Sequence, residues 1–201
     1  MIAFNQEQAA NSDSTGGNYS SQVDVYKLKD PKWVDAKAGS EARSIEFTAV
    51  NKDGQEFRYL SIFYTKRDGS QNDIGMKQIQ AMMGLLGVQN LTNQGGLIPE
   101  LNGKFLKLAL ERENYIKGDG KDGFKFNLRG AFDYQSGQSY PEKQASKEPE
   151  SINYWVKRFA DQPNGIEAKQ AARPAGGQGY NPNFSASNLP ADDGMDSEIP
   201  F

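Results

Sequence analysis

Residues 43–65 read RSIEFTAVNKDGQEFRYLSIFYT. Ile45, Phe47 and Ala49 alternate with other residues, so a strand over Arg43–Val50 would carry one apolar face. Asn51-Lys52-Asp53-Gly54 comes next, and Asp-Gly tolerates the positive φ of a tight hairpin turn. Glu56–Thr65 is then the returning strand, and its alternation reads two ways. Phe57, Tyr59, Ser61 and Phe63 share one face; Arg58, Leu60, Ile62 and Tyr64 share the other. Leu60 and Ile62 make the cleaner aliphatic core, which leaves Phe57, Tyr59 and Phe63 as an aromatic row on the open face. The opposite assignment keeps those three rings as core.

The pattern extends on both sides of this hairpin. Val23–Lys29 predicts a first strand. Downstream, Ile74, Ile79, Met82, Met83 and Leu86 fall mostly three and four residues apart in IGMKQIQAMMGLLG, a helix closed by Gly87. Gly103–Arg112 predicts a fourth strand, with Leu106, Leu108 and Leu110 on one face, and Phe124–Tyr134 a fifth, with Phe124, Phe126 and Leu128 inward. The segment between them, ENYIKGDGKDG, reads as a long loop. The order β-β-β-α-β-β, with the helix between the third and fourth strands, predicts an all-β fold with one helix: a five-stranded OB-fold barrel.

Four regions follow from composition. Residues 1–18 read as a flexible arm and 19–135 as the OB-fold domain. Residues 136–184 read as a Gln-, Gly-, Pro- and Asn-rich linker. Within the linker, 150–160 is a helical island: Ile152, Trp155, Val156 and Phe159 recur at helical spacing, to pack on the domain or a second subunit, or else to bring Trp155 to a ligand. Residues 185–201 form an acidic tip, and the C-terminal tail is expected to be disordered.

Charge is unevenly spread along the 201 residues, whose net charge is −3. The tip holds four acids (Asp192, Asp193, Asp196 and Glu198) and no base. Setting these apart from the 26 acids leaves 22 against 23 bases, so the body is near neutral and has room for basic patches. The chain contains neither Cys nor His, which excludes disulfides, thiol nucleophiles, Cys or His metal sites and His-based acid–base catalysis. The first residues carry no signal-peptide pattern, no apolar run reaches membrane length, and a cytoplasmic location is expected. GDGKDG is not a calcium loop, because Asp119 and Asp122 are wrongly spaced and no bidentate Glu follows in place. Glu111 and Glu113 read as solvated carboxylates at a strand end. No nucleotide-binding glycine motif is present, and no enzyme or cofactor is expected.

Binding chemistry is better represented. KLKDPKWVDAK reads as a first loop holding Lys27, Lys29, Lys32 and Trp33, with Trp33 as a stacking residue. The polar faces of strands four and five offer Lys107, Lys125, Asn127 and Arg129. The loop between these strands adds Tyr115, Lys117 and Lys121. An OB-fold takes its ligand on strands two and three and on these two loops. Aromatic platforms beside basic residues suit single-stranded nucleic acid, because every base has a π-face. A solvated charged face is the bland alternative for the lysines.

The chain closes on Asp-Ser-Glu-Ile199-Pro200-Phe201, after a Gly/Gln/Pro/Asn-rich stretch and one barrel. This combination resembles the single-stranded DNA-binding proteins of bacteria and bacteriophages, and the helix and long loops look more like the phage-encoded members. The resemblance is specific at the tip and covers few residues elsewhere. It implies a barrel that coats single-stranded DNA without sequence preference in replication, recombination and repair. It also implies a tip that docks on partner enzymes through Phe201, Ile199 and Pro200, steered by the acids, and that competes with DNA for the protein's own groove. A homo-oligomer, with a dimer favoured, is expected on the same ground. An RNA-binding, cold-shock-like barrel and a protein-interaction adaptor with a structural barrel remain as alternatives.

Overall fold

A computed structural model describes residues 19–36 and 39–167. The arm 1–18, the end of the expected linker (168–184) and the tip 185–201 lie outside the described residues. The elements are β1 (Gln22–Asp35), β2 (Arg43–Val50), β3 (Glu56–Thr65), α1 (Asp73–Leu86), β4 (Phe105–Ile116), β5 (Asp122–Phe132), α2 (Tyr140–Gln144), α3 (Glu150–Asp161) and β6 (Ile166–Glu167). The fold is mostly β with one main helix. Its sheet is an open one of six strands, running β3-β2-β1-β4-β5 in antiparallel order, with β6 parallel to the far end of β4.

β1 serves both halves of the sheet. Its first residues pair with β4 (Gln22↔Leu110 to Lys27↔Phe105), and its later ones with β2 (Lys27↔Val50 to Asp35↔Arg43). The expected first strand ends at Lys29, with Asp30-Pro31 in the loop KLKDPKWVDAK. In the structure these two residues form a bulge: Thr48 and Glu46 face Lys29 and Lys32, and Asp30 takes φ 50°. The strand therefore continues through Trp33, which lies in no loop.

Tyr26 and Leu28 of β1, Ile45 and Phe47 of β2, and Leu106, Leu108 and Leu110 of β4 point into one core. Ile79, Met82 and Leu85 of α1 close it from one side. The Asn72 side chain caps α1 at its N-terminus, and Gly87 ends it in the left-handed conformation, φ 66°. The helix start lies so near β3 that a Cβ on Gly75 would overlap the Phe63 carbonyl oxygen. Ile74, expected on the apolar stripe, is exposed to solvent.

Residues 136–167, expected as the start of a linker, carry α2, α3 and β6. Ile152, Trp155 and Phe159 of α3 pack with Val23, Ala109 and Phe132 against the outer side of the sheet. This matches the packing reading of the helical island, and Val156 faces solvent. Glu142 ties α2 to α3. It completes the capping box with Ser139, and its other oxygen accepts from the backbone N–H groups of Glu150 and Ser151. β6 lies along β4 beyond Leu110, where β1 no longer pairs. No helix among the described residues is long and apolar enough to cross a membrane.

Candidate functional site

β3 and β5 end the path of the sheet, and no ladder joins them. Between them runs a groove of about 1040 Å³, with Phe57 and Phe126 at its base. Its form follows from the register of β3. Ala49 faces Phe57 and Phe47 faces Leu60, so two steps along β2 span three along β3. The extra residue is absorbed at Tyr59, which takes φ 62°, a place ordinarily left to glycine. Phe57, Leu60 and Ile62 then all point inward, and Tyr59 is thrown outward, 73% exposed, with Phe63 at 49%.

This corrects the expected aromatic row. Phe57 is 1% exposed and belongs to the core. It packs edge-on against Tyr26 and Phe126, at centroid distances of 5.3 and 4.9 Å, and forms the floor beneath the open rings. Strict alternation cannot place Phe57 and Leu60 on one face; the bulge does.

The opposite wall comes from β4 and β5. Their hairpin runs past the core: β4 extends to Ile116, and a bond from the Lys117 N–H to the Lys121 carbonyl closes the turn. The segment expected as a loop is mostly strand. Phe124, expected inward, has no core to enter at that height and is 41% exposed. Its ring leans on Tyr19 and Phe126, and the Arg112 guanidinium lies 4.5 Å from its centre. Tyr115 is on the same wall.

The cations of the groove are held by acids. Glu56 takes Lys29 at 2.8 Å and Arg58 at 2.6 Å. Hydrogen bonds from Lys29 first and Arg58 second keep its carboxyl below the usual carboxylate range. Lys125 meets Glu113 at 3.1 Å. Burial pushes the Glu113 carboxyl up, but hydrogen bonds from Asn127 and Lys125 outweigh it and bring it below its ordinary value. Arg129 sits where Ala109 and Leu110 face Gly130 and Leu128, a further bulge, and donates to Glu111 at 2.8 Å. Glu111 is 2% exposed and also accepts from Arg158 of α3. It is a buried ion-pair centre, contrary to the solvated reading.

The structure therefore brings together Tyr59, Phe63, Tyr115, Lys125 and Arg129 over Phe57, with Lys29 reaching the rim through Glu56. Other expected site residues lie elsewhere. Trp33 is half-buried, edge-on to Tyr64 at 5.6 Å, and its indole N–H donates to the Thr92 carbonyl. Lys32 pairs with Glu46 on the outer face of β1 and β2. Lys27 projects from β1 beside Gly103, and Lys107 donates to the Gln135 carbonyl. Lys117 and Lys121 flank the hairpin tip. Arg58, Phe124 and Tyr19 line the groove and were missed. Arg58 was visible as a base between Phe57 and Tyr59; Phe124 would have needed the true length of the hairpin.

A second cavity of about 410 Å³ lies between α1 and β5, lined by Met76, Ala81, Leu128, Phe132 and Trp155 among others. It is apolar and shares Gln78, Leu128 and Arg129 with the groove. No family model matches the chain, and no curated protein matches it.

Proposed function

We propose that this chain binds single-stranded DNA without sequence preference, in the groove between β3 and β5. The observation that carries the reading is the bulge that holds Tyr59 out beside Phe63, facing Tyr115 and Phe124 across the groove, with Arg58, Lys125 and Arg129 alongside. A non-glycine residue in the left-handed region costs roughly 1–3 kcal/mol, and such strain gathers at working sites. Four accessible rings over a rigid aromatic floor offer stacking platforms, each worth about 1–3 kcal/mol per base. A duplex hides its base faces and gains nothing from them.

The OB-fold reading belongs to the same proposal. It is supported by the long β1 shared between β2 and β4, by the path β3-β2-β1-β4-β5, and by α1 set between β3 and β4. The resemblance of the tip adds the second part of the proposal: Phe201, Ile199 and Pro200, steered by their acids, recruit replication and recombination enzymes, and Phe201 of the tip competes with bases for the rings of the groove.

The test is a titration of labelled oligo-dT, read by anisotropy, with the full chain and with a chain ending at Ser185. Both Trp residues sit away from the groove wall, so the label belongs on the DNA. Binding of oligo-dT over duplex, tighter for the short chain, is the expected result. Equal or better binding of oligo-U points to the RNA reading. No binding by either chain overturns the proposal and leaves the adaptor.

A further inference from the structure

We infer that the groove recognises the faces of unpaired bases and draws little on backbone charge, so that its hold on single-stranded DNA is salt-tolerant. The inference rests on the reading above and specifies its chemistry.

Each cation that lines the groove already has an acid partner. Arg58 shares Glu56 with Lys29, Lys125 is on Glu113, and Arg129 is on Glu111. On the adjoining face Lys32 is on Glu46. Arg112 stands behind Phe124, with its guanidinium spent on Asn114 and the Tyr19 carbonyl. A phosphate that takes Arg58 or Lys125 must displace a carboxylate. The freed carboxylate then regains the counterion that the phosphate gave up, so the net ion release is small. The rings are arranged the other way. Tyr59, Phe63, Tyr115 and Phe124 present exposed surface, and the Tyr59 backbone is held in a strained conformation that keeps its ring out.

Salt dependence separates the two modes. Three unpaired cations, each meeting one phosphate, would give a slope of log K against log salt of about −2, at roughly 0.7 per contact. The paired groove is expected to give a slope shallower than about −1. Removing an acid should steepen it: Glu56→Gln frees Lys29 and Arg58, and should change the slope by about −1.4 while tightening binding at low salt.

The experiment uses the chain ending at Ser185, titrated with labelled oligo-dT from low to high salt. An abasic oligonucleotide of equal length, with the same phosphates and no bases, serves as competitor. A shallow slope, no competition by the abasic strand, and a steeper slope for Glu56→Gln support the inference. Glu113→Gln, which frees Lys125, repeats the third arm if Glu56→Gln proves unstable. A wild-type slope of about −2 or steeper, or effective abasic competition, overturns the inference and leaves single-stranded DNA binding standing. Failure to bind oligo-dT at any salt removes the proposed function itself, and the inference with it.

Discussion

Two aromatic surfaces outside the core of the sheet are treated in opposite ways. On one, α3 lays Phe159, Trp155 and Ile152 over Ala109, Phe132 and Val23, and Arg158 secures the helix to Glu111. On the other, Tyr59 and Phe63 stand beside an open groove, faced by Tyr115 and Phe124 and covered by nothing among the described residues. Both surfaces combine rings, arginines and a carboxylate. The difference teaches that composition does not separate a site from a packing face. What separates them is whether the chain's own helix arrives to cover the rings.

The covered surface should answer to substitution in stability alone. Phe159→Ala removes a buried ring and is expected to cost about 3–5 kcal/mol, read by urea or thermal denaturation. The DNA affinity of the fraction that stays folded should be unchanged. A loss of affinity without loss of stability would break the comparison, by making α3 part of the site.

Acid should loosen the same surface. Asp133 and Glu142 are both held to about 2. Burial works upward on each, but hydrogen bonds outweigh it: Lys143, Ser136 and Gln135 for Asp133, and Ser139 and Ser151 for Glu142. A carboxylate depressed by folding contributes stability that is fully present above its unfolded value near 4, and loses it as pH falls toward 2. Denaturation midpoints should therefore be level above about pH 5 and fall steadily below it. Glu142→Gln should flatten that fall.

The open surface should answer in binding. Tyr59→Ala is expected to weaken oligo-dT binding by about 1–3 kcal/mol, with no loss of stability. Tyr59→Gly sharpens the contrast, because glycine accepts φ 62° without strain. It should weaken binding as much as Ala does, yet raise stability by about 1 kcal/mol. Opposite signs at one position are the mark of a strained residue kept for a ligand.

These surfaces were unequally legible. Asn51-Lys52-Asp53-Gly54 and the Ile45, Phe47, Ala49 alternation place the β2–β3 hairpin, and Gly87 places the end of α1, because turn chemistry and periodicity are local. The orientation of β3 was half legible. Leu60 and Ile62 do point inward, but Phe57 joins them because Tyr59 absorbs an extra residue. No local rule announces a bulge at a tyrosine. Trp33 looked like a loop residue because it stands among the lysines of KLKDPKWVDAK, whereas Asp30-Pro31 is a bulge inside β1 that carries the strand on through it. The α3 stripe was legible from its spacing. The network of Asp133 and Glu142 was missed although every partner lies within ten residues, because the polar composition of 136–149 reads as linker and hides the Ser139/Glu142 capping box. Several lysines looked free because acids on neighbouring strands, such as Glu46 and Glu56, are remote in sequence.

The most direct test of the open surface is photocrosslinking. The full chain would be irradiated with an oligonucleotide carrying bromodeoxyuridine, and the linked peptides mapped by mass spectrometry. The account predicts crosslinks at Tyr59, Phe63, Tyr115 or Phe124, lost when excess oligo-dT competes. Crosslinks confined to Trp33, or to Tyr154 and Trp155 on α3, would contradict it.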